Sequence, residues 1–215
     1  PYIDVDEAAR TVGSAQYMSE GYKQQLHSIV MLKNHQGLLP LAQGTPVFIP
    51  QRHVPAGPDY WRNILPERTY HPVPRTILQR SLTPLDKPQT GDTAIVFIES
   101  PHSYLMGYDP DDVKRGGNGY IPISLQYADY TATHAREHSL AGGDPFEPFT
   151  DRSYRNKTAH TINRCDMQLV HDTRSAIGPE GKLIVVINML NLAVLTEIEP
   201  YADAIVIGFD VQAQA

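Results

Sequence analysis

The sequence has one cysteine, no basic cluster and no long apolar segment. Cys165 alone excludes an internal disulfide framework and a cysteine-rich metal site, and we expect it to be a small buried residue on a helix. Lys and Arg number 18 against 24 Asp and Glu, which gives a formal charge of −6. This balance argues against a nucleic-acid partner. No apolar run has the length of a transmembrane helix, so we predict no membrane span.

Proline and glycine are plentiful by contrast. The 18 Pro and 15 Gly among 215 residues indicate many turns or long ordered loops. The length suffices for one well-cored domain with an arm, and we divide the chain into a helical linker (1–41) and an α/β domain (42–215). Because the chain starts at Pro1 and shows no signal peptide, we expect its ends to be internal to a longer protein.

Short apolar runs predict the strands of a parallel sheet. They are rich in Ile and Val without polar alternation, as in a sheet covered on both faces, and lie at 46–50, 93–99, 183–189 and 203–209. Helical periodicity is present over 5–34, 123–138, 163–177 and 191–199. The alternation predicts an α/β fold, a layered αβα sandwich with a mostly parallel sheet, preceded by a helical linker arm.

The segment between Glu99 and Leu183 is far longer than a simple crossover requires. It contains two stretches rich in Gly, Pro and Asp, at 100–122 and 141–159. In open parallel sheets, ligand-binding loops lie beyond the carboxyl ends of strands, where these stretches begin. We therefore expect a binding site among them.

Two short motifs in this region suggest other chemistries. His134, Glu137 and His138 match the inverted zinc-peptidase pattern, but no third ligand is recognisable, and an exposed helix end explains them better. Gly116-Gly-Asn-Gly119 lacks the Lys-Ser/Thr sequel of a phosphate-binding loop and is more typical of a turn. We predict no metal and no cofactor.

Three parts of the chain resemble one family of enzymes, in the expected order. The first is Ser28-Ile-Val-Met-Leu-Lys-Asn34 with Leu38-Leu-Pro-Leu41. The second is Asp92-Thr-Ala-Ile-Val-Phe-Ile-Glu99, followed by a glycine-rich loop and Ile121-Pro-Ile-Ser-Leu-Gln126. The third is Lys182-Leu-Ile-Val-Val-Ile-Asn188 with Ala202-Asp-Ala-Ile-Val-Ile-Gly208. Together they are similar to the second domain of family 3 glycoside hydrolases, and the first segment is the most specific.

The resemblance implies an exo-acting, retaining hydrolase of the β-glucosidase type, acting on a carbohydrate substrate. Retention requires a nucleophile and an acid/base, two carboxyl groups about 5 Å apart. In the family an upstream barrel domain carries the Asp nucleophile, so that barrel is an implied partner and the isolated chain is expected to be inactive. A secreted or periplasmic location is also implied by the family; the sequence alone does not define the compartment.

The loop that follows Glu99 departs from the family pattern, because residues 100–136 contain no Glu. The resemblance aligns Asp112 with the acid/base position, with Asp111 as the adjacent alternative. Glu147, between aromatic residues in the second loop, is a further candidate. A solvated turn with capping carboxylates is the competing interpretation of the Asp cluster, and it leaves open a degenerate or non-enzymatic carbohydrate-binding module.

Aromatic and amide side chains near this loop are candidate sugar-binding groups. Aromatic faces suit the apolar faces of sugars, although the same rings could serve only to pack the loop. The predicted substrate-binding residues are Tyr104, Tyr108, Asn118 and Tyr120.

Overall fold

The computed structural model describes residues 2–58, 63–103, 107–138 and 151–209. Its α-helices are α1 (Val5–Thr11), α2 (Ala15–Ser28), α3 (Arg75–Leu78), α4 (Pro110–Lys114) and α5 (Arg164–Ile177). Short 3-10 turns cover His35–Gly37 and Leu195–Glu197. None of the helices within the described ranges is both long and apolar enough to span a bilayer.

A six-stranded sheet is the centre of the fold. Its strands are β1 (Val30–Asn34), β2 (Pro46–Phe48), β7 (Thr83–Leu85), β8 (Thr93–Glu99), β11 (Lys182–Asn188) and β12 (Ala204–Gly208), in the spatial order β1-β12-β11-β8-β2-β7. Three two-stranded ribbons pair β3 (Arg52–Val54) with β6 (Arg68–Tyr70), β4 (Gly57–Pro58) with β5 (Ile64–Leu65), and β9 (Tyr130–Thr131) with β10 (Thr158–Ala159). All neighbours in the central sheet are parallel except β1 and β12.

The central strands bury both of their faces. Ala94, Val96 and Ile98 of β8 belong to one apolar cluster with α5, whereas Ile95 belongs to a second cluster on the opposite face. The second face is covered by α3 and the 38–41 segment. Because side chains alternate between faces along a strand, the continuous Ile/Val runs supply apolar residues to both layers. The predicted α/β fold with a mostly parallel sheet is confirmed.

Helix α5 packs on β8 and β11 through its apolar stripe, with Met167, Val170 and Ile177 in the core. The helix ends at Gly178, whose φ of 68° and ψ of −178° suit a residue without Cβ. Cys165 lies on this helix as predicted, half-buried, and its thiol donates to the His53 carbonyl at 3.4 Å.

The N-terminal helical pattern ends earlier than the sequence predicts. Helix α2 ends at Ser28, and residues 30–34 form β1, which pairs antiparallel with β12. The predicted helix over 5–34 is therefore wrong for its last part. Ile29 and Val30 are β-branched residues that favour strands, and β1 satisfies backbone groups that the edge of β12 would otherwise leave unpaired.

Two other predicted helices are absent. Residues 123–138 form an irregular path with β9, because the N–H groups of Tyr127 and Ala128 donate to the Glu197 carboxylate at 2.6 and 2.9 Å instead of to helical carbonyls. Residues 191–199 contain only the short turn Leu195–Glu197. There the N–H of Val194 donates to the Leu125 carbonyl at 2.7 Å. Contacts between the two segments thus replace hydrogen bonds within each.

Candidate functional site

The loop over residues 107–121, here called the strand-end loop, follows β8 in the chain. Its two arms are joined where the Ile121 N–H donates to the Gly107 carbonyl (2.9 Å) and the Asp109 N–H donates to the Gly119 carbonyl (2.7 Å). Asp109 also caps the short helix α4, accepting from the Asp111 N–H at 2.9 Å. The loop is therefore a closed hairpin with one helical turn inside it.

Asp112 is bound inside this hairpin. Its Oδ2 accepts from the Gly119 N–H at 2.8 Å and from Lys157 Nζ at 2.7 Å. The hydrogen bond from Lys157 holds the pKa of Asp112 below its usual range, although partial burial acts in the opposite direction. A Cβ at residue 117 would overlap this carboxylate, so any residue other than glycine there would displace Asp112 from these contacts.

Asn118 connects the strand-end loop to a neighbouring segment. Its Nδ2 donates to the carbonyls of Asp151 (2.8 Å) and Ser153 (2.7 Å), and its Oδ1 accepts from the Tyr120 N–H (3.1 Å) and from Lys157. The Asn118 amide therefore uses both its nitrogen and its oxygen to hold the loop in place. A sugar hydroxyl would have to share these donors and acceptors or displace them.

The two described aromatic candidates lie against each other. Tyr108 and Tyr120 form an isolated β-bridge, and their rings meet edge to face with centroids 5.6 Å apart. Tyr108 is 40% exposed. The guanidinium of Arg152 lies over the Tyr120 ring, 5.5 Å from its centroid. The Tyr108 ring is thus accessible, whereas the Tyr120 ring contacts both Tyr108 and Arg152.

The remaining predicted residues differ in their surroundings. Asp111 is exposed on α4, where it accepts from Lys114 Nζ at 2.6 Å. Tyr104 and Glu147 lie outside the described residues. The acid/base assignments to Asp111, Asp112 and Glu147 remain predictions.

The residues of the zinc-peptidase pattern lie in turns and bends, not on a helix. The i, i+4 spacing of His134 and His138 therefore does not bring them to one helical face. His138 lies 3.1 Å from an Asp151 oxygen, and Glu137 lies 3.5 Å from Arg155. No group of three His, Cys, Asp or Glu side chains with metal-site geometry occurs within the described ranges.

The sequence did not predict the set of interacting residues at the carboxyl end of β8, here called the arginine network (Arg52, Tyr70, Glu99 and Asp166), of which Arg52 and Asp166 are buried. Arg52 binds Asp166 in bidentate fashion, with Nε to Oδ1 at 2.8 Å and Nη2 to Oδ2 at 3.0 Å. Its Nη1 donates to Glu99 Oε1 at 2.9 Å and to the Tyr70 hydroxyl at 3.0 Å. Burial lowers the pKa of Arg52, but the hydrogen bonds to both carboxylates outweigh it and raise the pKa above its usual range.

Backbone contacts fix the arginine network to the end of the strand. The Glu99 N–H donates to Asp166 Oδ2 at 3.2 Å, and the Tyr127 hydroxyl donates to the Glu99 carbonyl at 2.6 Å. Asn163 Nδ2 donates to Asp166 Oδ2 at 3.0 Å and to the Ser100 carbonyl at 3.1 Å. An Arg directly after an apolar strand was the available sequence signal, but its partners lie too far along the chain to be recognised.

Comparisons with known proteins found matches among solved structures. No protein-family model matches the chain, and no curated protein matches it. Among solved structures, the chain is similar to the β-glucosidase D2-BGL from Chaetomella raphigera, with 17% identity and a TM-score of 0.43. The similarity covers 91% of this chain and 26% of that protein. The chain thus spans about a quarter of its length, and a similarity of this size does not identify a family.

Proposed function

We propose that this chain is the second, α/β domain of a retaining, exo-acting glycoside hydrolase of the family 3, β-glucosidase type. It would lend the strand-end loop to a sugar pocket completed by an upstream barrel domain that carries the Asp nucleophile. The observation that carries the proposal is the closed, polar and aromatic loop that follows the central strand β8. This is the position at which the sequence resemblance expects the active-site loop.

Each part of this loop has a corresponding role in the proposal. A retaining enzyme needs an acid/base carboxyl about 5 Å from its nucleophile. Asp111, Asp112 and Glu147 are the candidates for it. Tyr108 and Tyr120 would contact an apolar sugar face, with Tyr104 and Asn118 beside them. The isolated chain would be inactive, because it lacks the nucleophile.

A second function is favoured by the contacts of Asp112. A general acid works best when its pKa is raised towards the working pH, whereas Lys157 holds the pKa of Asp112 down. An Asp bound to Lys157 and to the Gly119 N–H stabilises a loop without donating a proton. A carbohydrate-binding module without catalysis would need only this loop-ordering role.

Kinetics of the full-length protein with aryl β-glucosides test the proposal. We expect Asp111→Asn, Asp112→Asn or Glu147→Gln to slow cleavage of a poor leaving group by about 100-fold or more, because general acid catalysis contributes that much. A 2,4-dinitrophenyl leaving group needs little protonation and should be much less affected. Asp172→Asn, on the exposed side of α5, is the matched control.

The outcomes separate the two functions. If the full-length protein cleaves these glycosides and no variant slows cleavage of the glycoside with the poor leaving group, the acid/base assignment is wrong. The proposal that the protein is a hydrolase is then still supported. If it binds methyl β-D-glucopyranoside but cleaves no glycoside, the binding module is supported and the hydrolase is rejected.

A further inference from the structure

The arginine network lies at the point where the sheet reverses its winding order. Strands β2 and β8 are parallel neighbours, yet the chain continues from β2 to β7 on one side and from β8 to β11 on the other. In open α/β sheets, ligands bind outside the carboxyl ends of strands at such a switch point. Glu99 is the last residue of β8, and Arg52 begins β3 shortly after β2.

Two polar groups of the network retain hydrogen-bonding capacity. Glu99 Oε1 accepts from Arg52, while Oε2 has no hydrogen-bond partner among the described residues, and the Glu99 side chain is 27% exposed. The half-buried Tyr70 hydroxyl accepts from the same Arg52 nitrogen, so its own hydrogen can still be donated. One acceptor and one donor are thus held side by side by a single guanidinium.

The orientation of Glu99 and Tyr70 is fixed by the buried ion pair of Arg52 and Asp166. Arg52 is 3% exposed and uses Nε, Nη1 and Nη2 within the network. Asp166 is 1% exposed and balances its charge. Glu99 and Tyr70 are therefore preorganised, and binding a ligand would cost little of their conformational entropy.

The chemistry of the pair selects a hydroxyl-bearing ligand. A carboxylate oxygen accepts hydrogen bonds only, so the ligand group that faces Glu99 must be a hydrogen-bond donor. Neighbouring hydroxyls of a sugar both donate and accept, which matches Glu99 and Tyr70 together. An ionised carboxylate or phosphate on a ligand would offer Glu99 no hydrogen-bond donor and would repel its charge. The exposed guanidinium of Arg68 lies 5.3 Å from the Tyr70 ring centroid and does not alter the requirement for a donor at Glu99.

We propose that Glu99 and Tyr70, held by Arg52, bind adjacent hydroxyls of a neutral sugar at the switch point between β2 and β8. The place follows from the contacts of Arg52, whereas the class of ligand rests on the proposed function. Glu99 and Tyr70 are binding residues here, and Arg52 is a positioning residue.

Calorimetric titration of the full-length protein with methyl β-D-glucopyranoside tests this inference. In Glu99→Gln the amide oxygen can still accept from Arg52, while the outward group becomes a donor. We expect its affinity to fall about tenfold or more, and that of Tyr70→Phe about threefold to tenfold, as for a lost hydrogen bond to a charged and to a neutral group. Glu180→Gln, in an exposed turn before β11, is the matched control and should bind as the wild type.

A second ligand distinguishes recognition from a structural effect. The wild type should bind the methyl β-D-glucuronide, an anion, more weakly than the glucoside, and Glu99→Gln should narrow that difference. A purely structural role would lower the thermal unfolding temperature and leave the ratio of the two affinities unchanged. If Glu99→Gln does not fold, Tyr70→Phe alone decides.

The inference and the proposed function fail separately. Folded variants of both residues that bind the glucoside as tightly as the wild type overturn the inference, even if the wild type hydrolyses glycosides. A wild type that binds no glucoside also overturns it. If the wild type cleaves no glycoside but Glu99→Gln binds the glucoside more weakly than the wild type does, the inference stands and the proposed hydrolase function is rejected.

Discussion

Arg52 keeps its charge inside the protein because two carboxylates share it. All three guanidinium nitrogens donate to a carboxylate: Nε and Nη2 to Asp166, and Nη1 to Glu99. Such contacts suit the planar geometry of an arginine side chain. The exposed pair of Arg75 and Asp86 has a similar distance, 2.6 Å, but both partners are in water. Distance alone therefore does not measure the contribution of an ion pair.

Replacing Arg52 should be far more damaging than replacing Arg75. Arg52→Met leaves Asp166 buried without a cation, and breaking a buried pair in this way costs about 3–5 kcal/mol. Arg75→Met should change the free energy of unfolding little, because surface pairs contribute little. Urea unfolding of both variants checks this; equal losses would contradict the assignment of Arg52 as a buried anchor.

Asp112 should stabilise the protein in a pH-dependent way. Its pKa is lower in the folded chain than in the unfolded chain, so its contribution is present above the ordinary Asp pKa of about 3.9 and is lost as pH falls through the folded value. We expect Asp112→Asn to lower the free energy of unfolding by about 1 kcal/mol at pH 7. The difference from the wild type should shrink near pH 3.

Denaturant unfolding at several pH values measures this difference. Asp172→Asn, which removes an exposed carboxylate on α5, controls for the general effect of net charge. A difference between wild type and Asp112→Asn that stays constant down to pH 3 would show that the Lys157 contact does not favour the charged form.

At the scale of the elements, apolar runs predicted the long strands and α5 but not the ends of α2. Strands β8, β11 and β12 follow from continuous Ile/Val runs that a buried parallel strand requires. Residues 29–32 are equally apolar, and short apolar runs fit a helix or a strand. Pairing with β12 decides between them, and that partner lies near the other end of the sequence.

The candidate site was predictable only in part, for a similar reason. The strand-end loop is local in sequence, so its Gly and Asp residues identify it directly. The bidentate pair of Arg52 and Asp166 joins residues 114 positions apart. Charge and spacing in one sequence do not reveal such a pair, because many other carboxylates are available to the same arginine.

The end of α5 and the middle of α2 should respond oppositely to alanine. A Cβ at Gly178 would lie 3.1 Å from Thr90 Cγ2, and its φ of +68° is unfavourable for alanine, so Gly178→Ala should cost about 1–3 kcal/mol. Gly21 is exposed in α2. Apart from its chain neighbours and the helix backbone, no atom of the described residues lies within 4 Å of the position that an alanine Cβ would take, so Gly21→Ala should favour that helix by about 0.5–1 kcal/mol. Thermal unfolding measures the first and far-UV circular dichroism the second. A stabilising Gly178→Ala would contradict the backbone argument.

At the scale of the whole molecule, the described residues divide into a well-packed sheet and a thinly packed N-terminal arm. Helices α1 and α2 contain no buried residue, and Tyr17, Tyr22 and Leu26 of α2 are each about half exposed or more. Helix α5, by contrast, contributes several residues to the core. Local opening should therefore be much easier in the arm than in the sheet.

Limited trypsin digestion should reveal this difference. We expect early cleavage after Arg10 and Lys23, which lie in α1 and α2. Arg174 in α5 should resist, because its guanidinium donates to the carbonyls of Tyr201 and Gly181 and to Asp203. Mass spectrometry of the first fragments measures the order. Cleavage in α5 before the arm would contradict this division of stability.

The long span of the arginine network also constrains the order of events in folding. Burying Arg52 before Asp166 is in place would leave it with only the partly exposed Glu99 as a counter-charge, which is unfavourable. The segment from β2 to β6 therefore cannot complete its packing until α5 has docked on β8. During synthesis from the N-terminus, Arg52 must stay in water while the next hundred or so residues emerge, since 114 positions separate it from Asp166. The switch point between β2 and β8 would accordingly be among the last regions to form.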